Sequence, residues 1–311
     1  MKQITLIFTA LNENNEVINT LKSLYETANH ELFDVIVIND GTFKTQVSKG
    51  WYDIPKKYPC KIVHHNTRQG IHVSRSEGAS LAQTKYIAFF NARMRFEAGW
   101  LDKVLAELNQ DNGKTIFCTT SKVLDEKGKH ATKINNGYLY GAELVFHKDQ
   151  PENKTSKHFI LYPSWLYEKK EGTYEIPCVL GAMYFMTKKW FNYIGGLEGL
   201  TSYGSDEEFL SLKTWVFGGK VKIISDVVIS NIYRKIKSYT DNIENYLFNR
   251  LFMALVLLDE TDFKKVLNYY SESEYFTLMT LRIALNFDYL SGLKAKYNKL
   301  KINNYNNYLK R

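Results

Sequence analysis

The run Tyr86-Ile87-Ala88-Phe89-Phe90 constrains this chain more than any other stretch. Consecutive apolar residues without alternation suit a strand covered on both faces, and such strands sit in parallel sheets flanked by helices. Before it, Ser74 to Gln83 carries small residues and Leu81 at helix-compatible spacing; after it, Glu97-Ala98-Gly99-Trp100-Leu101 starts another helix. Between strand and helix stands the polar break Asn91-Ala92-Arg93. In an open α/β sheet ligands bind outside the carboxyl ends of the strands, so this triplet falls where a site is expected.

The upstream segments have the same grammar. Ile4 to Thr9 reads as a strand, Asn12 to Asn15 as a polar turn, and Val17, Ile18, Leu21, Leu24 and Tyr25 as one helix face. Asp34 to Ile38 is a second strand closed by Asn39-Asp40-Gly41-Thr42, and Lys61 to His64 a third, leading into Arg68-Gln69-Gly70. Successive β-α units of this kind predict parallel strands joined by right-handed crossovers.

Downstream, Ile116 to Thr119 reads as a strand, while Lys122 to Lys133 and Asp149 to Lys157 read as polar loops. Tyr162-Pro163-Ser164-Trp165 is either an aromatic platform for a ligand or a Trp packed under a loop. Val179 to Met186 is apolar, and Tyr203-Gly204-Ser205-Asp206-Glu207-Glu208 opens a helix that stops at Gly218-Gly219 before a strand over Val221 to Ser225. Acids at a helix start favour the positive end of its dipole, but three together exceed what a cap requires. From Asp241 the composition changes: Ile243 to Leu258 and Asp262 to Leu285 predict two helices. Lys294 to Arg311 is basic, interleaved with Tyr297, Tyr305 and Tyr308, and is either a solvated tail or a strip that follows a phosphate backbone or a lipid surface.

At 311 residues the chain can bury one large core, with or without a helical appendage. With 44% hydrophobic and 24% charged residues it reads as globular. The 22 Tyr suit sugar or base stacking and equally plain core packing. A formal net charge of +8 favours anionic partners such as a nucleotide diphosphate, an acidic polymer or nucleic acid. Cys60, Cys118 and Cys178 are too scattered for a zinc site or a disulfide framework, which predicts a reducing, cytoplasmic setting. The first residues read as a strand rather than a signal peptide, and the apolar run Leu251 to Leu258 is too short to cross a bilayer.

In order and content these segments resemble the nucleotide-sugar glycosyltransferases of the GT-A fold, in particular the family-2 transferases and the polypeptide N-acetylgalactosaminyltransferases. The family-2 opening, a strand with Asn-Glu and a second strand ending in Asp-Asp-Gly-Ser, is similar to Thr9-Ala10-Leu11-Asn12-Glu13 and Asn39-Asp40-Gly41-Thr42. Arg68-Gln69-Gly70-Ile71 and Arg75 resemble the Arg-x-Gly-Leu and following Arg of the second family; Tyr203 to Glu208 resembles the acceptor-side Trp-Gly-Gly-Glu or Glu-Asp motif of both. The resemblance implies an α/β, GT-A type, Rossmann-like fold with a mostly parallel central sheet over residues 1–240. Residues 241–311 lie beyond it as a helical extension with a basic Tyr/Asn-rich tail.

It further implies a nucleotide-sugar donor, a UDP-sugar, and an acceptor hydroxyl on an anionic glycan, a protein or modified DNA. By the resemblance Thr9, Ala10, Glu13, Asn39 and Asp40 line the base and ribose, and Arg68, Gly70 and Arg75 serve the donor phosphates. The two families differ on inversion or retention at the anomeric centre; for inversion Asp206 is the implied base, with Glu207 as the alternate. One departure stands out. The family's metal-holding Asp-x-Asp or Asp-x-His reads Asn91-Ala92-Arg93, and its further metal-ligating His reads Asn231, before Ile232-Tyr233-Arg234. Amide oxygens ligate hard cations weakly and a guanidinium not at all. A divalent metal, Mn²⁺ or Mg²⁺ if any, is thus in question. Arg93 is expected either to supply positive charge to catalysis or to pair with Glu97 on the surface. Two other readings remain open: a catalytically inactive nucleotide- or glycan-binding protein of the same fold, and a nucleic-acid-binding protein that uses its basic tail. Peripheral contact with a membrane is compatible with each.

Overall fold

A computed structural model describes residues 1–42, 50–132, 135–145, 161–233 and 243–304. Three β-α units open the chain: β1 (Ile4–Ala10), α1 (Asn14–Thr27), β2 (Phe33–Asn39), α2 (Gly50–Lys57), β3 (Lys61–His64) and α3 (Ile71–Leu81). β4 (Tyr86–Asn91), the apolar run, lies parallel to β1 and completes the order β3-β2-β1-β4. β1, β2 and β4 are largely buried on both faces, as their mainly apolar sequences require, whereas the edge strand β3 is exposed at Lys61 and His64. Ile7 and Phe89 face the core under α3, whereas Leu6, Phe8 and Phe90 face a second core under α1. α3 approaches β1 so closely that a Cβ on Gly78 would stand 2.4 Å from Ile7 Cγ2.

The second half contains β5 (Met94–Phe96), α4 (Trp100–Gln110), β6 (Thr115–Leu124), β7 (Tyr138–Leu139), β8 (Ala142–Val145), β9 (Tyr162–Trp165) and β10 (Thr173–Glu175). It continues through β11 (Met183–Thr187), α5 (Lys188–Tyr193), α6 (Asp206–Val216) and β12 (Lys220–Ile232). The α/β expectation holds, with a change of direction after β4: β11 enters antiparallel between β4 and β6, and β12 then runs parallel to β6. β12 was expected to end at Ser225. It continues past a register shift between Ile224 and Val228 and pairs antiparallel with β5, a strand the sequence reading missed. The irregularity explains the miss, because Ser225 and Asp226 interrupt the apolar pattern at the point where the strand bends.

The carboxy-terminal segment forms α7 (Ile243–Leu257), α8 (Glu260–Tyr270), α9 (Phe276–Leu285) and α10 (Phe287–Leu300). The single helix expected over 262–285 breaks after Tyr270, within the polar stretch Ser271-Glu272-Ser273-Glu274. The expected tail is also corrected. Lys294 to Leu300 belong to α10, and Tyr297 is 0% exposed, packed against Phe209 and Phe217 at ring distances of 6.3 and 5.5 Å. Tyr305, Tyr308 and Arg311 lie outside the described residues, as do Arg234 and the polar loop Asp149 to Lys157. α7 shares the core of α6, with Phe252 against Phe209 at 5.4 Å. Among the described residues no helix is long and apolar enough to cross a membrane.

Candidate active site

The carboxyl ends of β1, β2 and β4 open onto one cleft, as the parallel register dictates, with Thr9 opposite Ile38 on one side and Asn91 on the other. Asp40 follows β2 and is consumed by structure. Its Oδ1 accepts from Gln69 N at 2.7 Å and contacts His65 Nδ1 at 2.9 Å, and its Oδ2 accepts from Gly70 N at 2.9 Å. His65 Nε2 lies 2.7 Å from Glu77 Oε2, so one imidazole bridges two carboxylates. Burial opposes its charge, but Asp40 and then Glu77 outweigh burial and raise its pKa above the usual 6.5. Gly41 makes the turn at φ +83°, where a Cβ would lie 2.4 Å from Arg68 N. Gly70, at φ +95°, would bring a Cβ within 2.6 Å of the Ser202 backbone. The Asn-Asp-Gly-Thr turn therefore sets the loop that carries Arg68.

Thr9, Glu13, Asp40, Arg68, Asn91 and Arg93 line this half of the cleft. Thr9 Oγ1 is buried there without a hydrogen-bond partner. Three other expected donor-site residues act differently. Ala10 is buried, and its carbonyl accepts from Asp40 N at 2.9 Å. Asn39 is buried against His64, Nδ2 to Nδ1 at 3.0 Å. Arg75, 2% exposed, donates to Asp206 and, at 3.0 Å, to Tyr184 Oη.

Asn91 and Arg93 meet Asn231, 140 residues beyond Asn91 in sequence, at the cleft. Asn91 Nδ2 approaches Asn231 Oδ1 at 3.5 Å, and the Arg93 carbonyl accepts from Ile232 N at 3.0 Å. Arg93 Nη1 stands 3.8 Å from Glu13 Oε1, so its carboxylate neighbour is Glu13 rather than the expected Glu97. The GT-A resemblance implies a metal here, and the donor set does not fit one. Two amides and a guanidinium form the cluster, the Asn231 oxygen already faces the Asn91 amide, and Glu13 faces Arg93. Among the described residues no group of three or more His, Cys, Asp or Glu could hold a metal ion.

Beyond Arg93 the cleft widens into a second chamber of about 450 Å³. Its floor is the first turn of α6. Asp206 accepts from Arg75 and, at 3.0 Å, from Tyr184 Oη, and His72 Nε2 lies 3.9 Å away. Burial works against its charge, but Arg75 and His72 prevail and hold the carboxyl below the usual range. Glu207 is the opposite case: burial, then the charges of Asp206 and Glu208, push its pKa well above the usual range. Its carboxylate lies against Gly181, where a Cβ would come 1.5 Å from Oε1. Tyr162, Trp165, Tyr203, Tyr233 and Tyr246 form the walls. Trp165 is 38% exposed and meets Tyr233 edge-on at 6.0 Å, so it faces the chamber rather than packing under a loop. His65, Tyr246 and Arg250 were not foreseen, and Tyr203 and Tyr233 stood in motifs without a role of their own. Tyr246 and Arg250 were hidden in a helix whose apolar face dominated its pattern.

Residues 5–193, well over half of the chain, match the family model for glycosyl transferase family 2. The chain belongs to that family. Human polypeptide N-acetylgalactosaminyltransferase 9 is 25% identical over 277 residues, which cover 85% of this chain and 43% of the relative. Polypeptide N-acetylgalactosaminyltransferase 4 of Caenorhabditis elegans is 21% identical over 245 residues, 77% of this chain and 40% of the relative. This family-2 chain thus spans less than half the length of these relatives. Among solved structures, GalNAc-T7 with UDP, GalNAc and Mn²⁺ superposes at a TM-score of 0.68 and 15% identity, covering 92% of this chain and 57% of that one. S. aureus TarS 1-349 with UDP-GlcNAc superposes at 0.56 and 11% identity, covering 96% and 82%. These likenesses establish the GT-A fold for the family-2 chain.

Proposed function

We propose that this family-2 chain transfers a sugar from a nucleotide donor, a UDP-sugar, to an acceptor hydroxyl, without a divalent cation held by the protein. The observation that carries the reading is the position of Arg93, which lines both halves of the cleft. A donor with its nucleoside against Thr9 and Glu13 and its diphosphate at Arg68 would bring its leaving oxygens toward this guanidinium. The acceptor oxygen attacks the donor C1, the C1–O bond to the diphosphate breaks, and UDP leaves with the electron pair. Negative charge builds on the diphosphate, and Arg93, permanently charged and able to meet two oxygens in one plane, opposes it.

The proton of the acceptor goes to ionised Glu207 rather than to Asp206. A carboxyl held low by Arg75 is a weak base, whereas a raised pKa makes the ionised form a strong one. Asp206 is instead the anion that neutralises Arg75 beneath the chamber. The aromatic walls support an acceptor with a flat, partly apolar face, such as a sugar ring. Three unpaired thiols support the cytoplasmic assignment.

Calorimetry with UDP, followed by UDP release from UDP-GlcNAc and UDP-GalNAc, tests the reading. Binding with turnover is the expected result. Binding without turnover on any UDP-sugar would favour an inactive nucleotide-binding protein, and no binding would remove the reading.

A further inference from the structure

Helix α7 lies beyond residue 193, where the family match ends, yet two adjacent residues on it each grip one wall of the second chamber. Arg250, 4% exposed, donates through Nη2 to Glu208 Oε1 at 2.8 Å and through Nη1 to the carbonyl of Leu161. Glu208 adjoins Glu207 on α6, and Leu161 immediately precedes β9, which carries Tyr162 and Trp165. Leu161 holds φ at +59°, a conformation costly for a branched side chain, and its amide donates to Val145 O at 2.8 Å. Asn249, 0% exposed, does the same for the opposite wall. Its Nδ2 faces the carbonyls of Thr201, Tyr203 and Gly204 at 2.9, 3.2 and 3.0 Å, and its Oδ1 accepts from Thr201 N at 2.8 Å. The loop so held carries Tyr203, and its Ser202 carbonyl accepts from Ile71 N at 2.8 Å.

We infer that α7 is the frame of the acceptor half of the site. Arg250 and Asn249 are positioning residues: the first sets Trp165 and Tyr162 against the helix bearing Glu207, and the second sets Tyr203 at the boundary between the two halves. The extension is therefore a working part of the transferase site, and its influence falls on the acceptor side and not on nucleotide binding. A guanidinium is needed because one planar group must meet a carboxylate and a carbonyl on two different elements at once. The inference rests on the proposed division of the cleft into donor and acceptor halves.

The test uses the full chain labelled with 5-fluorotryptophan, UDP as the donor-site probe, and the variants Arg250→Met and Arg250→Lys. The resonance of Trp165 is identified as the one lost in Trp165→Phe. In both variants this resonance should shift while the others stay in place. Amide exchange across residues 161–166 should rise about tenfold or more against unchanged exchange in β1 and β2, and UDP affinity by calorimetry should stay within twofold. Arg250→Lys keeps a cation beside Glu208, so it provides a folded variant should Arg250→Met fail to fold. An unmoved Trp165 resonance with unchanged exchange at 161–166 would overturn the inference. So would a loss of UDP affinity in step with those changes, which would make α7 a general support of the fold. Absence of UDP binding by the unsubstituted chain would instead contradict the donor reading, and it would leave the resonance and exchange results to judge the frame.

Discussion

Arg75 and Asp206, 131 residues apart in sequence, form an ion pair sealed beneath the second chamber, with Tyr184 Oη donating to the same carboxylate oxygen at 3.0 Å. The pair joins α3 to α6, the donor side of the cleft to the acceptor side. It also divides the labour between two adjacent acids, since one is held as an anion and its neighbour keeps its proton to higher pH.

Substitution should separate these roles. Asp206→Asn leaves Arg75 buried without a counter-charge and should cost roughly 3–5 kcal/mol of stability, read as a drop in denaturation midpoint. Glu207→Gln removes a half-buried group whose charge is already disfavoured. It should leave the midpoint nearly unchanged and lower transfer by roughly 10²–10⁴. The pH dependence follows from the two shifts. Asp206 has a depressed folded pKa, so its contribution is present above the unfolded value of 3.8 and is lost only as pH falls through the lower folded value. Glu207 is raised, so transfer should climb as pH rises through its folded pKa, and this limb should vanish in Glu207→Gln. Full activity in Glu207→Gln would return the role of base to another group.

His65 gives the donor loop a titration of its own. Its folded pKa is raised, so the bridge between Asp40 and Glu77 is fully present below the unfolded value of 6.5 and is lost as pH rises through the folded value. UDP affinity should weaken over that window and become flat in His65→Gln. Asp40→Ala should cost more than one ligand bond, because Gln69 N, Gly70 N and His65 all lose their acceptor. About 1–3 kcal/mol for each buried group left unpaired sets the scale. Calorimetry and thermal melts on the same samples check both effects, and a variant that loses only affinity would show that Asp40 meets the nucleotide directly.

Deleting residues 294–311 should destabilise the whole chain rather than trim a tail. The deletion takes Tyr297 out of the core and leaves buried Lys213, whose Nζ lies 5.2 Å from the Tyr297 ring, beside a cavity. Loss of a large aromatic from a core costs about 3–5 kcal/mol. An unchanged midpoint in the truncated chain would restore the reading of this segment as a tail.

What could be read in the sequence follows a physical division. β1, β2 and β4 were legible because strands buried on both faces are apolar almost throughout, β3 from the Ile62-Val63 pair of a short edge strand, and the turn at Asn39-Asp40-Gly41 marks its own position. The place of Asn91 and Arg93 was legible because strand ends define the ligand edge of such a sheet, whereas Asn231 was tied to them only by the family resemblance. Partnerships were not. Nothing in the periodicity of α3 says that Arg75 turns inward to Asp206 rather than outward to phosphate. Nothing around Glu13 marks it as the neighbour of Arg93. β5 is three residues long and β12 bends at Asp226, so neither presents a clean alternation. Tyr297 looked like tail because lysines surround it, although those lysines occupy the outer face of a helix whose inner face is buried.

The central claim is that Arg93 stands where a carboxylate-held cation would otherwise oppose the leaving diphosphate. The measurement that tests it most directly is turnover of UDP-GlcNAc and UDP-GalNAc after exhaustive EDTA treatment, for the unsubstituted chain, Arg93→Lys and Arg93→Ala. The account predicts full turnover of the unsubstituted chain in EDTA, a loss of roughly 10²–10³ in Arg93→Ala, and an intermediate value in Arg93→Lys. Activity abolished by EDTA and restored by Mn²⁺ or Mg²⁺, or unchanged turnover in Arg93→Ala, would contradict it.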